Sequence, residues 1–287
     1  MKKTAVLHRL ETEPGSGGRC SSGIALLCLC FLSATGISAQ NSKPTFTTFN
    51  APGAGTGASQ GTFAYQISNE RFIVGQYSDA GSVNHGYVRA PDGDITAFKA
   101  PGAGTLANQG TTPNGINTAG AVEGYYLDGN TAFHGFLRAA DGTITTFDAS
   151  GAGTGAYQGT LGADINTAGT VAGYYYNAQA VSRGLVRAAS GAVTRFDAPG
   201  AGTGTGQGTS AFSINTAGVI TGAYLDANLA WHGFLRAASG AMATFEAPGA
   251  GNGAGQGTNA EGIDVEGDIV GYYVDASNVN HGFLLTP

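Results

Sequence analysis

"GTTPNGINTAGAVEGYYLDGNTAFHGFLRAADGTITTFDA", residues 110–149, decides the fold, because the chain writes this phrase five times with variations. Phe49, Phe98, Phe147, Phe196 and Phe245 stand 49 residues apart. The same interval separates Gln60, Gln109, Gln158, Gln207 and Gln256, and again Gly75, Gly124, Gly173, Gly222 and Gly271. No insertion breaks the register. A fixed period near 50 residues marks a repeat architecture whose unit is one supersecondary element.

Four short strands are predicted in each unit. In the second copy the first strand covers residues 110–117, and Asn117 with Gly120 flanks a hairpin turn in which glycine is free to take positive φ. The second covers residues 121–128, where Val122, Gly124, Tyr126 and Asp128 alternate onto one face. A third begins at His134, with Phe136 and Arg138 on the histidine's face. Asp141 and Gly142 then turn the chain into a fourth, threonine-rich strand over residues 143–149. Glycine supplies 49 of 287 residues, which opposes helix and suits tight turns and closely stacked sheets. Between units lies "APGAGTGTGQGT" (residues 198–209), whose Pro199–Gly200 pair suits a type II turn.

Four-stranded sheets repeated about an axis predict an all-β fold, a five-bladed β-propeller. The last copy ends "HGFLLTP" (residues 281–287), after its third strand. Residues 45–49, "TFTTF", read like the fourth-strand text "TITTF" of residues 143–147. The expectation is that this N-terminal strand completes the last blade and closes the ring; the alternative is an open β-solenoid. Residues 40–287 are then a single domain.

Residues 1–39 differ from the rest. Lys2, Lys3, Arg9 and Arg19 precede the apolar run "GIALLCLCFL" (residues 23–32) and the small-residue stretch "SATGISAQ", the layout of a cleaved secretory signal ending near Ala39. The run is short for a membrane span and no second one follows. Cys20, Cys28 and Cys30 all lie in this segment, so the exported chain would hold no disulfide, thiolate metal site or cysteine nucleophile. Without residues 1–39 the chain keeps 9 basic against 17 acidic residues. So acidic a surface will not neutralise phosphates, and nucleic acid is excluded as a partner.

Within the units, "INTAGAVEGYYLDGNTAFHGFLR" (residues 116–138) resembles the bacterial extracellular repeats of the HAF family, named for a His-Ala-Phe tripeptide. Here the tripeptide is His-Gly-Phe, or His-Gly-Tyr at His85. The resemblance runs through all five units and implies a secreted or cell-surface protein. It implies no chemistry.

Several repeated residues invite a functional reading. Asp79 and His85, Asp128 and His134, Asp226 and His232, and Asp275 and His281 are each six apart. A carboxylate ending the second strand would there meet an imidazole beginning the third. In the third unit both change together, to Asn177 and Arg183, which suggests that the pair touches and serves mainly to pin the loop. Gln207, Thr209, Asp226, Trp231 and His232, with Gln109, Asp128, Phe133 and His134, form the candidate ligand-binding set. Amide, carboxylate and ring are what a sugar site uses. Gln and Thr serve the connector's own backbone on the competing reading, which the sequence favours. The "GAGTG" loops lack the following helix and lysine of a phosphate-binding loop. No HExxH, nucleophile elbow or EF-hand loop occurs, so neither a catalytic residue, a metal nor a cofactor is assigned. The first unit departs modestly from the repeat, with "SNERF" (residues 68–72) against "NTAGA" in the second. The function expected is a secreted binding module, in its sharpest form a weak, multivalent binder of a glycan or cell-surface polysaccharide. A structural envelope protein is the alternative, and a polysaccharide hydrolase or lyase comes third.

Overall fold

The computed structural model describes residues 45–287. The signal-like segment, its cleavage point and the three cysteines lie outside the described residues. The repeats belong to one compact unit, Thr48–Pro287.

The first sheet comprises β1 (Gly61–Ile67), β2 (Ile73–Ser78), β3 (Asn84–Arg89) and β4 (Ile95–Phe98). The second comprises β5 (Gly110–Ile116), β6 (Val122–Leu127), β7 (Phe133–Arg138) and β8 (Ile144–Phe147), and the third β9 (Gly159–Ile165), β10 (Val171–Tyr176), β11 (Ser182–Arg187) and β12 (Val193–Phe196). β13 (Gly208–Ile214), β14 (Ile220–Leu225), β15 (Trp231–Arg236) and β16 (Met242–Phe245) make the fourth. The fifth holds only β17 (Gly257–Ile263), β18 (Ile269–Val274) and β19 (Asn280–Leu285). Each sheet is antiparallel from strand to strand, and a bulge in or opposite the first strand, as between Pro113 and Gly115, bends it. No helix occurs among the described residues.

The expected turns are present. Gly120 takes φ +76°, and its amide donates to the Asn117 carbonyl. The Asn117 carboxamide oxygen accepts the amides of Ala119 and Ala121. Gly200 takes φ +92° in a turn closed by the Ala201 amide on the Ala198 carbonyl, as a type II turn requires. Gly124 is needed for another reason: a Cβ there would lie 2.2 Å from the Thr112 carbonyl oxygen on the neighbouring strand.

Successive sheets stack through a repeated seam. Phe98, ending β4, packs edge-on against Phe136 of the next unit at 5.8 Å between ring centres, and the Arg138 guanidinium lies 5.2 Å over the Phe98 ring. Phe196 repeats this with Phe234 and Arg236. Such contacts contribute about 0.5–1 kcal/mol each beyond the burial of the rings. Behind them lie buried Val74, Ile116, Val122 and Phe136 in one seam and Ala172, Ile214, Ile220 and Phe234 in another. Near the axis the Asn117 carboxamide donates to the Asn166 carbonyl at 3.0 Å, Asn166 to Asn215 at 3.2 Å, and Asn215 to Asp264 at 3.1 Å. All five units contribute to a central cavity of about 340 Å³, lined by Ile67, Asn117, Asp164, Asn215 and Asp264 among others. The sheets therefore encircle an axis, which sets the arrangement apart from a linear solenoid.

The expected closure is corrected by the strand pairing. Among the described residues, 45–49 form no strand, β1 pairs with β2 alone, and β19 pairs with β18 alone. The fold is all-β and built of five repeated sheets, but the ring they form is open rather than a closed five-bladed propeller. One side-chain reason is visible. The carboxamide ladder reaches Asp264, which has no side-chain N–H to pass to a further unit; its carboxylate instead accepts the amides of its own turn. Phe49 does make the inter-unit contact of a fourth-strand phenylalanine, edge-on to Tyr87 at 6.1 Å with the Arg89 guanidinium over its ring, but the backbone around it pairs with no strand.

One buried charge stands out. Glu123 is fully enclosed, and neither carboxylate oxygen has a hydrogen-bond partner. Burial, and then the nearby Asp164 carboxylate, push its pKa well above the ordinary value.

Candidate functional site

The repeated glutamine and threonine serve the backbone, as the sequence favoured. The Gln207 side-chain oxygen accepts the Gly204 amide, and its nitrogen donates to the Ala227 carbonyl at 3.2 Å. Gln109 does the same with Leu106 and Gly129. Each glutamine thus staples the inter-unit connector to the turn between second and third strands. Thr209 is fully buried, and its hydroxyl accepts the Ala198 amide at 2.9 Å. It cannot touch a ligand and leaves the candidate set.

The Asp–His pairs are real contacts. His85 Nε2 lies 2.9 Å from Asp79 Oδ2, and His281 Nε2 lies 3.1 Å from Asp275 Oδ2. The separation opens to 3.7 Å for Asp128–His134 and 3.5 Å for Asp226–His232. There a second acid competes: His134 Nδ1 sits 2.9 Å from Asp148, and His232 Nδ1 bonds Glu246. Each imidazole also stacks on the preceding tyrosine, Tyr126 against His134 at 4.9 Å and Tyr224 against His232 at 4.7 Å. The other carboxylate oxygen holds the loop. Asp128 Oδ1 accepts the amides of Asn130 and Ala132, and Asp226 Oδ1 those of Asn228 and Ala230. The hydrogen bond from His85 is the main reason that the Asp79 carboxyl titrates below its ordinary value. At Asp226, burial pushes upward, but the Ala230 and Asn228 amides together with His232 outweigh it, and the net shift is downward.

In the third unit the joint replacement does not preserve a mutual contact. Asn177 caps its loop through the Gln179 and Val181 amides, while Arg183 turns to Asp197 at 2.5 Å. Asp148, Asp197 and Glu246 stand fourteen residues after the His or Arg that they bind. The spacing is present in the repeats, but Lys99 holds the position in the first unit and breaks the pattern there.

Phe133 and Trp231 begin their strands, next to His134 and His232, so each pair points to opposite faces of its sheet. Phe133 is half-buried, 5.4 Å from Tyr125 and 6.2 Å from Tyr157, and Tyr157 is largely exposed. Two units on, Gly255 replaces Tyr157, and the half-buried Trp231 lacks that neighbour. Ring, carboxylate and imidazole therefore do not converge on one point in either unit.

A better-enclosed site lies where the first unit departs from the repeat. Ser68, Glu70 and Phe72 of the "SNERF" turn line a cavity of about 310 Å³ at the seam between the first two units, facing Val88, Asp94 and Arg138. At the register position of Glu70 the next three units carry Ala119, Ala168 and Ala217, and the fifth carries Glu266, which does not line this cavity. Its volume is at the lower end of the range for small-ligand pockets, about 300–1,000 Å³. Its walls combine carboxylates and hydroxyls with an aromatic and aliphatic side, which suits an amphipathic neutral molecule. Among the described residues no cluster of three or more His, Cys, Asp or Glu side chains is arranged to hold a metal ion.

No family model matches the chain, and no curated protein sequence does. Among solved structures it is similar to a mutant of the Aleuria aurantia lectin in complex with α-methyl-L-fucoside. The TM-score is 0.44 at 12% identity, over 78% of this chain and 72% of that one. It is also similar to the same fungal lectin described as a six-bladed β-propeller with fucose recognition, at TM-score 0.25 and 13% identity over 78% and 90% of the two chains. At these values the likeness decides neither blade number nor ligand.

Proposed function

We propose that the protein is a non-catalytic carbohydrate-binding module, exported through residues 1–39 and built from repeats of the HAF type. It takes a neutral, hydroxyl-rich saccharide in the cavity between the first two units. One observation carries the reading: the cavity lies at a turn that departs from the repeat, where Glu70 and Phe72 stand in place of Ala119 and Ala121, Ala168 and Thr170, and Ala217 and Val219 of the next three units. Glu70 and Asp94 would accept hydroxyl hydrogens, and Phe72 would cover the apolar face of a sugar ring. The two carboxylates outnumber the one guanidinium, Arg138, in the cavity, and with 9 basic against 17 acidic residues beyond residue 39 they disfavour an anionic ligand.

Calorimetric titration with a panel of neutral saccharides, fucosides among them, tests the reading. Glu70→Gln and Phe72→Ala should each weaken binding at least about tenfold, or 1.4 kcal/mol. Trp231→Ala and Tyr157→Ala should leave it unchanged. The opposite pattern would move the site to the aromatic rim and restore the multivalent expectation. Absence of binding at about 1 mM saccharide would leave the structural role. Release of reducing ends from a polysaccharide would make the protein a hydrolase or lyase.

A further inference from the structure

We infer that copies of this chain assemble head to tail, the fifth unit of one docking on the first unit of the next. The interface is the seam already used four times inside the molecule, continued across the break in the ring. In the seam between the first two units, Val74 and Ile116 belong to one cluster and are 0% and 5% exposed; Ala172 and Ile214 repeat this two units later. The residues in the same two register positions at the ends of the array are Val270 and Ile67. They are 51% and 61% exposed.

The rest of the two faces follows the same rule. The Thr112 hydroxyl donates to the Gln76 side chain across the internal seam at 2.7 Å. Their counterparts at the ends are Phe63 and Tyr272, both exposed, so a docked copy would replace that polar bond by an aromatic pair. Leu284 adds a further exposed apolar side chain on the tail. Beside it, no ring among the described residues covers Gly282. A Cβ on Gly86, Gly135, Gly184 or Gly233 would meet the ring of Phe98, Phe147, Phe196 or Phe245 within 2.7 Å, whereas at Gly282 the nearest atom of the described residues lies 3.9 Å away. The head of the next copy brings Phe49, already seated on Tyr87 as Phe98 is on Phe136. An apolar face beside an unpaired strand edge is a surface that sheet proteins cover, and a second copy has the complementary face by construction. The contact is heterologous, so each copy offers one head and one tail.

Sedimentation of the full chain over a range of concentrations tests this. The wild-type protein should form concentration-dependent dimers and larger species. Ile67→Lys and Val270→Lys change exposed residues, so each should stay folded by circular dichroism and sediment as a monomer. Mixing the two leaves one intact head and one intact tail. It should yield a one-to-one dimer and nothing larger. A wild-type monomer at up to about 1 mM, a mixture that fails to dimerise, or lysine variants that assemble like the wild type would each overturn the inference. A monomer in which an alanine at Gly282 is as disruptive as one at Gly86 would show the chain's own N-terminal residues in the slot instead.

Discussion

His134 is held from both sides: its Nδ1 lies 2.9 Å from Asp148, while its Nε2 stands 3.7 Å from Asp128, whose other oxygen caps the turn between β6 and β7. Asp128 therefore does two separable jobs. Asn177 performs only the capping one in the third unit, with the same two backbone amides. Asp128→Asn should cost no more than about 0.5 kcal/mol, because the pair is partly exposed and loosely spaced. Asp128→Ala should cost about 1–2 kcal/mol through the uncapped amides. Urea melts of the two variants check the order.

Acid should weaken the fold through the same rim. Asp79 is held below its usual value chiefly by His85, and Asp275 chiefly by the Val279 amide and then by His281. A carboxyl whose folded pKa is depressed lets the unfolded chain take up protons first. Its stabilisation is complete above the unfolded value near 3.8 and is lost as the pH falls through that value toward the folded one. Melting temperature should therefore decline below about pH 4.5. Asp79→Asn should show a shallower decline, measurable by calorimetry across that range.

Glu123 should act with the opposite sign. Its folded pKa is raised above 4.5 by burial and by Asp164. Below 4.5 both states hold the proton and nothing is lost. As the pH rises, the unfolded chain ionises first, and stability falls by up to about 1.4 kcal/mol per pH unit until the folded pKa is reached. Glu123→Gln keeps the shape that fills the space beside Gly115 and Gly162. The variant should lose this slope, so the gap between the two melting curves widens from pH 5 toward neutrality.

Much of this fold was legible because the period is exact in the letters. The predicted first strand, residues 110–117, differs from β5 by one residue, and the predicted second, residues 121–128, overruns β6 by one at each end. The glutamine staples repeat in all five units, and the matching threonines are buried in the last four, so Gln109, Gln207 and Thr209 bond the backbone although the sequence also places them in the candidate ligand-binding set. Closure was not legible. "TFTTF" matches the fourth-strand text "TITTF" in all but one letter, but pairing is decided by where β19 stands in space, which no local pattern reports. The clue available was Asp264, written where Asn117, Asn166 and Asn215 carry the donor that links units.

The candidate site was half legible. "SNERF" shows as a departure from the repeat, yet the cavity also needs Asp94, 24 residues beyond Glu70 in the β3–β4 turn of the same unit, and Arg138, 68 residues beyond and brought there only by stacking of the next unit. The rim residues attracted the first reading because they recur. Recurrence in this chain marks what every unit needs in order to fold.

The open ring is tested most directly by comparing thermal unfolding of Gly86→Ala and Gly282→Ala in dilute protein. The two glycines share a register position, but Phe98 covers the first at 2.6 Å, whereas no ring among the described residues covers the second. Gly86→Ala should lose about 1–3 kcal/mol from overpacking, whereas Gly282→Ala should stay within about 0.5 kcal/mol of the wild type. An equal loss at Gly282 would mean that an aromatic side chain fills its slot in solution, and that the ring is closed.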